Sequence, residues 1–456
     1  MQNDQAKVAF PKGFVWGAAA AAYQIEGAAD TDGKGASVWD MFTKKPGAIF
    51  EGHNGDVACD HYTRYSSDVE LMRELGLMAY RFSVSWPRVL PSGTGSINSA
   101  GLDFYERLVD RLLARGITPF VTLFHWDFPL ELYYRGGWLN PDSAGWFADY
   151  TAAVVRRLGD RVRHYITLNE PQVFIGMGHY EGKHAPGDKL ALGDMLQAGH
   201  HALLAHGRSV QAIRAHASGC QIGFAPVIMP RLPASDRDAD IDAARRATFD
   251  VNTRSSWTHS WWMDPVLLGS YPEQGLAFYA GAAPRVGADD LRVISERVDF
   301  VGLNIYQGVV VEQAPGEYRE VSLPDGYPRS GFDWPITAEA LYFGPRFCYE
   351  RYRVPIFITE NGISVRDWVA VDGKVHDAAR IDFTSRYLQA LARAIAHGAD
   401  VRGYFHWSLL DNFEWAEGYK ERFGLVYVDY QTQARVLKDS AHWYRRVIES
   451  NGAVAL

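Results

Sequence analysis

Several things are scarce in this sequence, and each scarcity excludes a class of protein. There are only three cysteines in 456 residues, Cys59, Cys220 and Cys348. None forms a Cys-x-x-Cys pair, which argues against a disulfide framework or a structural zinc site. No Asn-x-Ser/Thr sequon occurs. No stretch approaches the ~18 apolar residues of a membrane span. The opening MQNDQAKVAFPKGF lacks the apolar core of a secretory signal. These absences lead us to expect a cytoplasmic protein with no membrane contact. Blocks of one charge are missing too. The 46 Lys+Arg and 54 Asp+Glu are spread along the chain, for a formal charge of −8. With no basic patch there is no footprint for nucleic acid.

Hydrophobic side chains, at 47% and including 14 Trp, are abundant enough for a large core. Their order is more informative. In Leu102–Arg115 apolar residues at Leu102, Tyr105, Leu108, Val109, Leu112 and Leu113 recur at helical spacing. Gly116 follows where a left-handed C′ residue belongs. Then come the strand formers of Ile117–Phe124 and a polar cluster, His125, Trp126 and Asp127.

This unit of helix, glycine, strand and polar cluster recurs. Gly76 leads into AYRFSV, Gly159 into HYITL, Gly219 into QIGFAPV and Gly398 into VRGYF. Asp299–Leu303 ends at Asn304, and Pro355–Thr359 ends at Glu360. With Phe14–Ala19 there are eight strands. Strands alternating with helices imply parallel pairing through right-handed crossovers. Eight units suit a closed α/β barrel of the (β/α)8, or TIM, type, with chemistry at the C-terminal strand ends. An open doubly wound sheet would usually carry a Gly-rich phosphate fingerprint after its first strand. GAAAAAYQIEG stands there instead. No linker divides the chain, so residues 1–456 read as one barrel domain with extended βα loops. The polar stretches Pro230–Asp240 and Gln313–Ser330 read as two of those loops.

Two glutamates stand out. Glu170 in TLNEP follows the fourth strand, and Glu360 in ITENG follows the seventh. A closed barrel lets both face its centre. Two carboxyls flanking one bond are what glycoside hydrolysis needs, one to protonate the leaving oxygen and one to attack or activate water. The plainer alternative is a surface Glu at each strand end. His200, His201 and His206 lack the HExxH pattern and read as ordinary helix histidines, so no metal is expected. His61 and His406 read as structural hydrogen-bonding groups, and Trp16, Trp39 and Trp86 as core.

The segments FVWGAAAAAYQIEG, GDVACDHY, YRFSVSWPR, HWDFP, GGWLN, TLNEP, GLNIY, ITENG, HWSLLDNFEW and ERFGLVYVD occur in this order. Together they resemble family 1 glycoside hydrolases, among them bacterial β-glucosidases, over nearly the whole chain. The resemblance implies a retaining exo-β-glycosidase on a TIM barrel, with no cofactor. Glu170 would be the general acid/base and Glu360 the nucleophile. Arg81 and Tyr306 would orient Glu360, and Asn169 would bind the sugar 2-OH. Gln24, His125, Trp126, Asn304 and Glu414 would meet other hydroxyls. Trp407 would offer an apolar face and Trp415 an indole N–H. Trp334 would line the leaving-group side and Phe423 the sugar's rim.

The implied substrate is a β-glucoside, either a cello-oligosaccharide or an aryl or alkyl glucoside, which would suit cellulose degradation. β-Galactoside or β-fucoside cleavage is the nearest alternative. A 6-phosphoglucosidase is disfavoured by Glu414, which would repel a phosphate. A thioglucosidase is disfavoured by Glu170, where that branch carries Gln. A non-catalytic sugar binder would typically have lost one of the two glutamates. A barrel isomerase or aldolase would need a metal cluster, a Schiff-base Lys or a phosphate loop at a strand end. Gln172, where many members have Trp, and the segment WPITAEAL depart from the family pattern on the leaving-group side.

Overall fold

The computed structural model describes residues 10–455. Residues 1–9, the larger part of the segment lacking a secretory core, lie outside the described residues. Eight parallel strands form a closed barrel: β1 Val15–Ala19, β2 Ala79–Ser83, β3 Thr118–Phe124, β4 His164–Asn169, β5 Gln221–Ala225, β6 Phe300–Asn304, β7 Ile356–Asn361 and β8 Val401–Trp407. Each pairs with its sequence neighbours, and β1 closes the ring against β8 and β2. This is the architecture expected from the periodicity.

The main outer helices are α1 His61–Glu74, α2 Ser99–Ala114, α3 Ser143–Leu158, α4 Leu192–His216, α5 Ala340–Tyr352, α6 Ala378–Ala396 and α7 Asp439–Glu449. In α2 the predicted apolar face is buried except Leu113, which is 40% exposed on the flank. The helix-to-strand turn is the same after α1, α2 and α6. Gly76, Gly116 and Gly398 have φ of 71°, 71° and 95°. In each case the next residue's N–H reaches back five residues, as Ile117 does to the Leu112 carbonyl (3.0 Å). That bond and the one from the glycine satisfy carbonyls left over at the helix end. Gly159 differs: its φ is −71°, so it continues the helical conformation.

The barrel is plugged below by aromatic rings. Phe120 lies 4.8 Å from Phe405 and 5.4 Å from Phe357, and Phe300 lies 5.1 Å from Phe357. Small residues make room for them. A Cβ on Gly223 would come within 2.2 Å of the Phe300 ring. Large rings set against glycines fill the taper of a small barrel, so the open end is the other one.

Both expected loops contain regular structure. Arg231–Pro233 pairs in parallel with Val309–Ala314, which pairs antiparallel with Glu317–Glu320. Asp238–Phe249 is a helix. The charged and proline-rich composition masked these elements, because only Leu232 of the first short strand is fully buried. The α4 histidines bond separately: His200 to Tyr271 and Asp290, His201 to the Trp138 carbonyl and His206 to Thr167. His61 meets Asp68 at 2.8 Å, as expected of a structural histidine. His406 is fully buried, with the Phe423 backbone as its neighbouring polar group. Trp16, Trp39 and Trp86 are buried. Among the described residues no helix is long and apolar enough to cross a membrane.

Candidate active site

A cavity of about 1110 Å³ opens at the C-terminal ends of the strands. Glu170 and Glu360 both line it. The register shows how they are aimed. Along β4, Ile166 pairs with Gly223 and Asn169 with Ala225, so one residue more is used on β4 than on β5. Along β7, Ile358 pairs with Leu303 and Glu360 with Asn304, again with an extra residue. Such bulges turn a strand end and re-aim its side chains. Glu170 itself is left-handed, with φ 48° and ψ 68°. That conformation costs a non-glycine residue ~1–3 kcal/mol. It is held by the Glu170 N–H to the Ala225 carbonyl (2.8 Å) and by Pro171, which starts a short helix. Trp126 and Trp415 also have positive φ, 80° and 48°.

The polar floor begins at Arg81, buried at the centre of β2. Its Nη1 donates to Glu360 Oε1 (2.6 Å) and its Nη2 to Asn169 Oδ1 (2.6 Å). Thr122 Oγ1 accepts from its Nε, and the Thr359 carbonyl from its Nη1. Tyr306 donates to the other Glu360 oxygen, Oε2 (2.7 Å). Arginine only donates, so the Asn169 atom facing it must be oxygen. The Asn169 Nδ2 then donates to His125 Nε2 (3.0 Å), which places the imidazole proton on Nδ1 and leaves one amide hydrogen free. Asn304 Nδ2 donates to Glu170 Oε1 (2.8 Å) and to Asn169 Oδ1 (3.0 Å), while Thr359 donates to Asn304 Oδ1 (2.7 Å). One network therefore holds both glutamates.

The two carboxyls are not equivalent. Burial, followed by the charge of Glu360, pushes Glu170 well above the usual carboxylate range. Burial raises Glu360 as well, but Arg81 and the Tyr306 hydroxyl favour its charged form. Glu170 has no cation hydrogen-bonded to it, so it is the one that keeps its proton. Burial and Arg81 drive His125 well below its ordinary value, so it stays neutral. Glu414 is pushed up to about 8, by burial and then by Glu360 and Glu421.

The structure brings His125, Trp126, Glu170, Tyr306, Trp334, Glu360, Trp407, Glu414, Trp415 and Phe423 onto the cavity wall. Arg81, Gln24, Asn169 and Asn304 lie behind it, fully or almost fully buried. Two expected sugar donors are already engaged. The Trp126 indole N–H goes to the Asn169 carbonyl (3.0 Å), and the Asn304 amide is used on Glu170 and Asn169. Gln24 Nε2 donates to the Phe413 carbonyl (2.9 Å), leaving Oε1 without a protein partner. The Trp415 ring packs on Trp126 (4.4 Å) and Trp39 (4.6 Å). Phe332, not singled out in the sequence, stacks on Trp334 at 4.6 Å. Thr122 and Thr359 were also missed, although both stand in the strands that lead into HWDFP and ITENG. The outer wall of Phe42, Ile49, Met177, Val227, Met229 and Trp257 comes from separate βα connections, with Phe42 and Met177 in short helical segments, and no sequence period marks it. Gln172 is buried and does not line the cavity; its Nε2 donates to the carbonyl of Val227, which does (3.1 Å). Among the described residues no His/Cys/Asp/Glu group is arranged to hold a metal.

Residues 6–453 match the family described as glycosyl hydrolase family 1. A 1,4-beta-D-glucan glucohydrolase of Thermotoga neapolitana is 46% identical over 97% of this chain and 99% of its own. A beta-glucosidase A of Thermotoga maritima is 45% identical over 97% and 98%. A solved Thermotoga maritima beta-glucosidase in complex with glucoimidazole superposes with a TM-score of 0.89 at 44% identity, covering 97% of this chain and 99% of that one.

Proposed function

The chain belongs to glycosyl hydrolase family 1 and is a β-glucosidase, and on that premise we propose that it acts by double displacement, with Glu360 as nucleophile and Glu170 as acid/base. The observation that carries this assignment is the unequal treatment of the two carboxyls. Glu360 has a guanidinium and a phenol on its two oxygens, whereas Glu170 has only an amide. A charged carboxylate aimed at the anomeric carbon and a protonated one beside the leaving oxygen are the pair that retention requires, about 5–5.5 Å apart.

In the first step Glu360 attacks the anomeric carbon. Glu170 gives its proton to the departing oxygen, and the glucosyl unit becomes esterified to Glu360. Esterification removes the negative charge that had held the Glu170 proton in place. Glu170, left ionised by that transfer, therefore stays charged and takes a proton from the water that hydrolyses the ester. The free Asn169 amide hydrogen meets the sugar 2-OH and strengthens as positive charge develops on the ring. Gln24 Oε1, His125, Glu414 and Trp415 bind the remaining hydroxyls, and Trp407 backs the ring. Trp126 and Asn304 serve the sugar indirectly, by fixing Asn169 and Glu170.

The substrate is a terminal β-glucoside, with a cello-oligosaccharide, aryl or alkyl leaving group in the outer cavity. Residues 1–456 act as one catalytic domain, in keeping with a family match across residues 6–453. A cytoplasmic location is part of the proposal, supported by three buried free thiols. The test is Glu360→Ala on a chromogenic β-glucoside. Turnover should fall by about 10⁴-fold or more, and azide should restore part of it as the α-glucosyl azide. Near-normal turnover without azide would sink the assignment.

A further inference from the structure

Behind the cavity lies a second polar cluster that the reaction does not use. Six charged side chains, three acids and three bases, are buried together below the loop that follows β8. Lys438, just before α7, places its Nζ on Asp367 and on Asp411 Oδ1 (2.7 Å). Arg380 of α6 donates to Asp367 Oδ2 (2.8 Å) and pairs with Asp377. Arg422 donates to Asp411 Oδ2 (2.7 Å). Five of the six side chains are 1% exposed or less, and Arg422 is 14% exposed. The charges balance, which is the condition for burying so many.

Some bonds that leave this cluster go to Ser440 of α7 and to the Val428 carbonyl, and others lead towards the cavity. The Gly424 N–H donates to Asp411 Oδ1 (2.9 Å), and Arg380 Nη2 donates to the Arg422 carbonyl (2.8 Å). These contacts hold the Asn412–Gly424 loop at both ends. Between its ends the loop carries Glu414, Trp415 and Phe423. The Arg422 carbonyl also accepts from the Val365 N–H (3.0 Å). Next to Val365, Ser364 holds the N–H groups of Gly331 and Phe332 (3.0 and 3.1 Å). Asp367 and Ser364 lie on the segment that leaves Glu360 along the chain. The cluster therefore joins the loop after the nucleophile to the loop bearing Glu414.

We propose that Asp367, Asp377, Arg380, Asp411, Arg422 and Lys438 form a positioning clamp that sets the height of the Asn412–Gly424 loop over Glu360 and thereby selects the far edge of the sugar. The inference rests on reading Glu414 and Trp415 as sugar contacts. Glu360 and Asn169 occupy the C1 and C2 side of the ring, so a loop on another wall meets the opposite edge, C4 and the C6 hydroxymethyl. A floppy sugar loop would lose that edge selectively, because the misplacement of one wall does not move the chemistry at C1.

The test compares p-nitrophenyl β-glucoside with p-nitrophenyl β-xyloside, which has no C6 group. Lys438→Met should lower kcat/KM for the glucoside by about 10²-fold, the scale of an ångström misplacement, and for the xyloside far less. A general structural lesion would lower both in proportion. The double variant Lys438→Met/Asp367→Asn restores charge balance without the link to Asp411. It should keep the selectivity defect, and recovery would overturn the clamp. A folded Lys438→Met with an unchanged glucoside-to-xyloside ratio would overturn it as well. Should Lys438→Met fail to fold, Asp411→Asn faces the same criterion. Hydrogen exchange on the unmutated protein provides a separate check: residues 411–424 should exchange as slowly as β8, and fast exchange there refutes the clamp. Glu414→Gln separates the two readings. If it leaves the ratio unchanged, the sugar role of Glu414 fails and the exchange measurement alone decides the clamp.

Discussion

The floor and the outer wall of the cavity are built on opposite principles. At the floor, Arg81, Thr122, Asn169, Asn304, Tyr306, Thr359 and both glutamates are linked by hydrogen bonds, most of them shorter than 3.0 Å. On the wall, Phe42, Ile49, Met177, Val227, Met229 and Trp334 contribute mainly apolar surface. The floor residues sit on or just beyond β2, β3, β4, β6 and β7, and the wall residues on the βα connections, which are loops apart from the short helical segments holding Phe42 and Met177. The difference separates two tasks. Bond breaking needs charges held within a fraction of an ångström, and strands supply that rigidity. Accepting different leaving groups needs area without obligatory partners, and loops supply it.

Changes at the floor should be the most damaging. Glu170→Gln removes the proton donor, so turnover of alkyl glucosides should fall by about 10³-fold. The activated 2,4-dinitrophenyl glucoside should lose much less in its first step, because it leaves without a proton. Glu170 has a raised pKa, so the unmutated enzyme loses activity as pH rises through it. That basic limb should vanish in the variant, and a limb of unchanged position would reject the acid/base role.

Arg81→Met comes next. Removing one partner of a buried ion pair costs ~3–5 kcal/mol of stability. Without its guanidinium Glu360 ionises less readily, so the acidic limb of the rate profile should move to higher pH. A limb that stays put would mean that Tyr306 alone holds the charge.

At the wall, Trp334→Ala should have a smaller and more selective effect. kcat/KM for aryl glucosides should fall by about tenfold, the scale of losing one aromatic contact. Hydrolysis of the glucosyl-enzyme, in which the leaving group has gone, should be unchanged. Equal loss in both steps would erase the division between floor and wall.

The smallest effect concerns Glu414. Its pKa is about 8 in the folded chain, against an ordinary value of 4.5. Between these values the folded state binds a proton that the unfolded chain has released, so stability falls as pH rises across that window. Glu414→Gln removes this source of decline. Denaturant melts should show a flatter stability profile between about pH 4.5 and 8, and an unchanged slope would mean that the carboxyl is already ionised when folded.

The floor was more legible than the wall because strand ends leave local marks. Glu170 and Glu360 follow apolar runs, and Gly76, Gly116 and Gly398 announce the helix-to-strand turns. The parts assigned wrongly are those whose partners lie far along the chain. Arg231–Pro233 is a strand only because Val309–Ala314 runs beside it. Trp126 stands at a strand end as a sugar donor would, yet its N–H goes to the carbonyl of Asn169, 43 residues away. Phe332 and Trp257 carry no pattern at all, since nothing periodic governs a loop.

The sequence by itself determined the eight-fold alternation, its single core and the two glutamates, because periodicity, capping and strand-end chemistry act over a few residues. Tertiary structure decided which glutamate keeps its proton. That depends on Arg81 and Tyr306 reaching Glu360, across 279 and 54 residues of chain, while Glu170 is left with an amide. It also decided that Lys438 lies beneath the loop bearing Glu414. Electrostatic energies depend on distance through space and on burial, and only the closed barrel sets both.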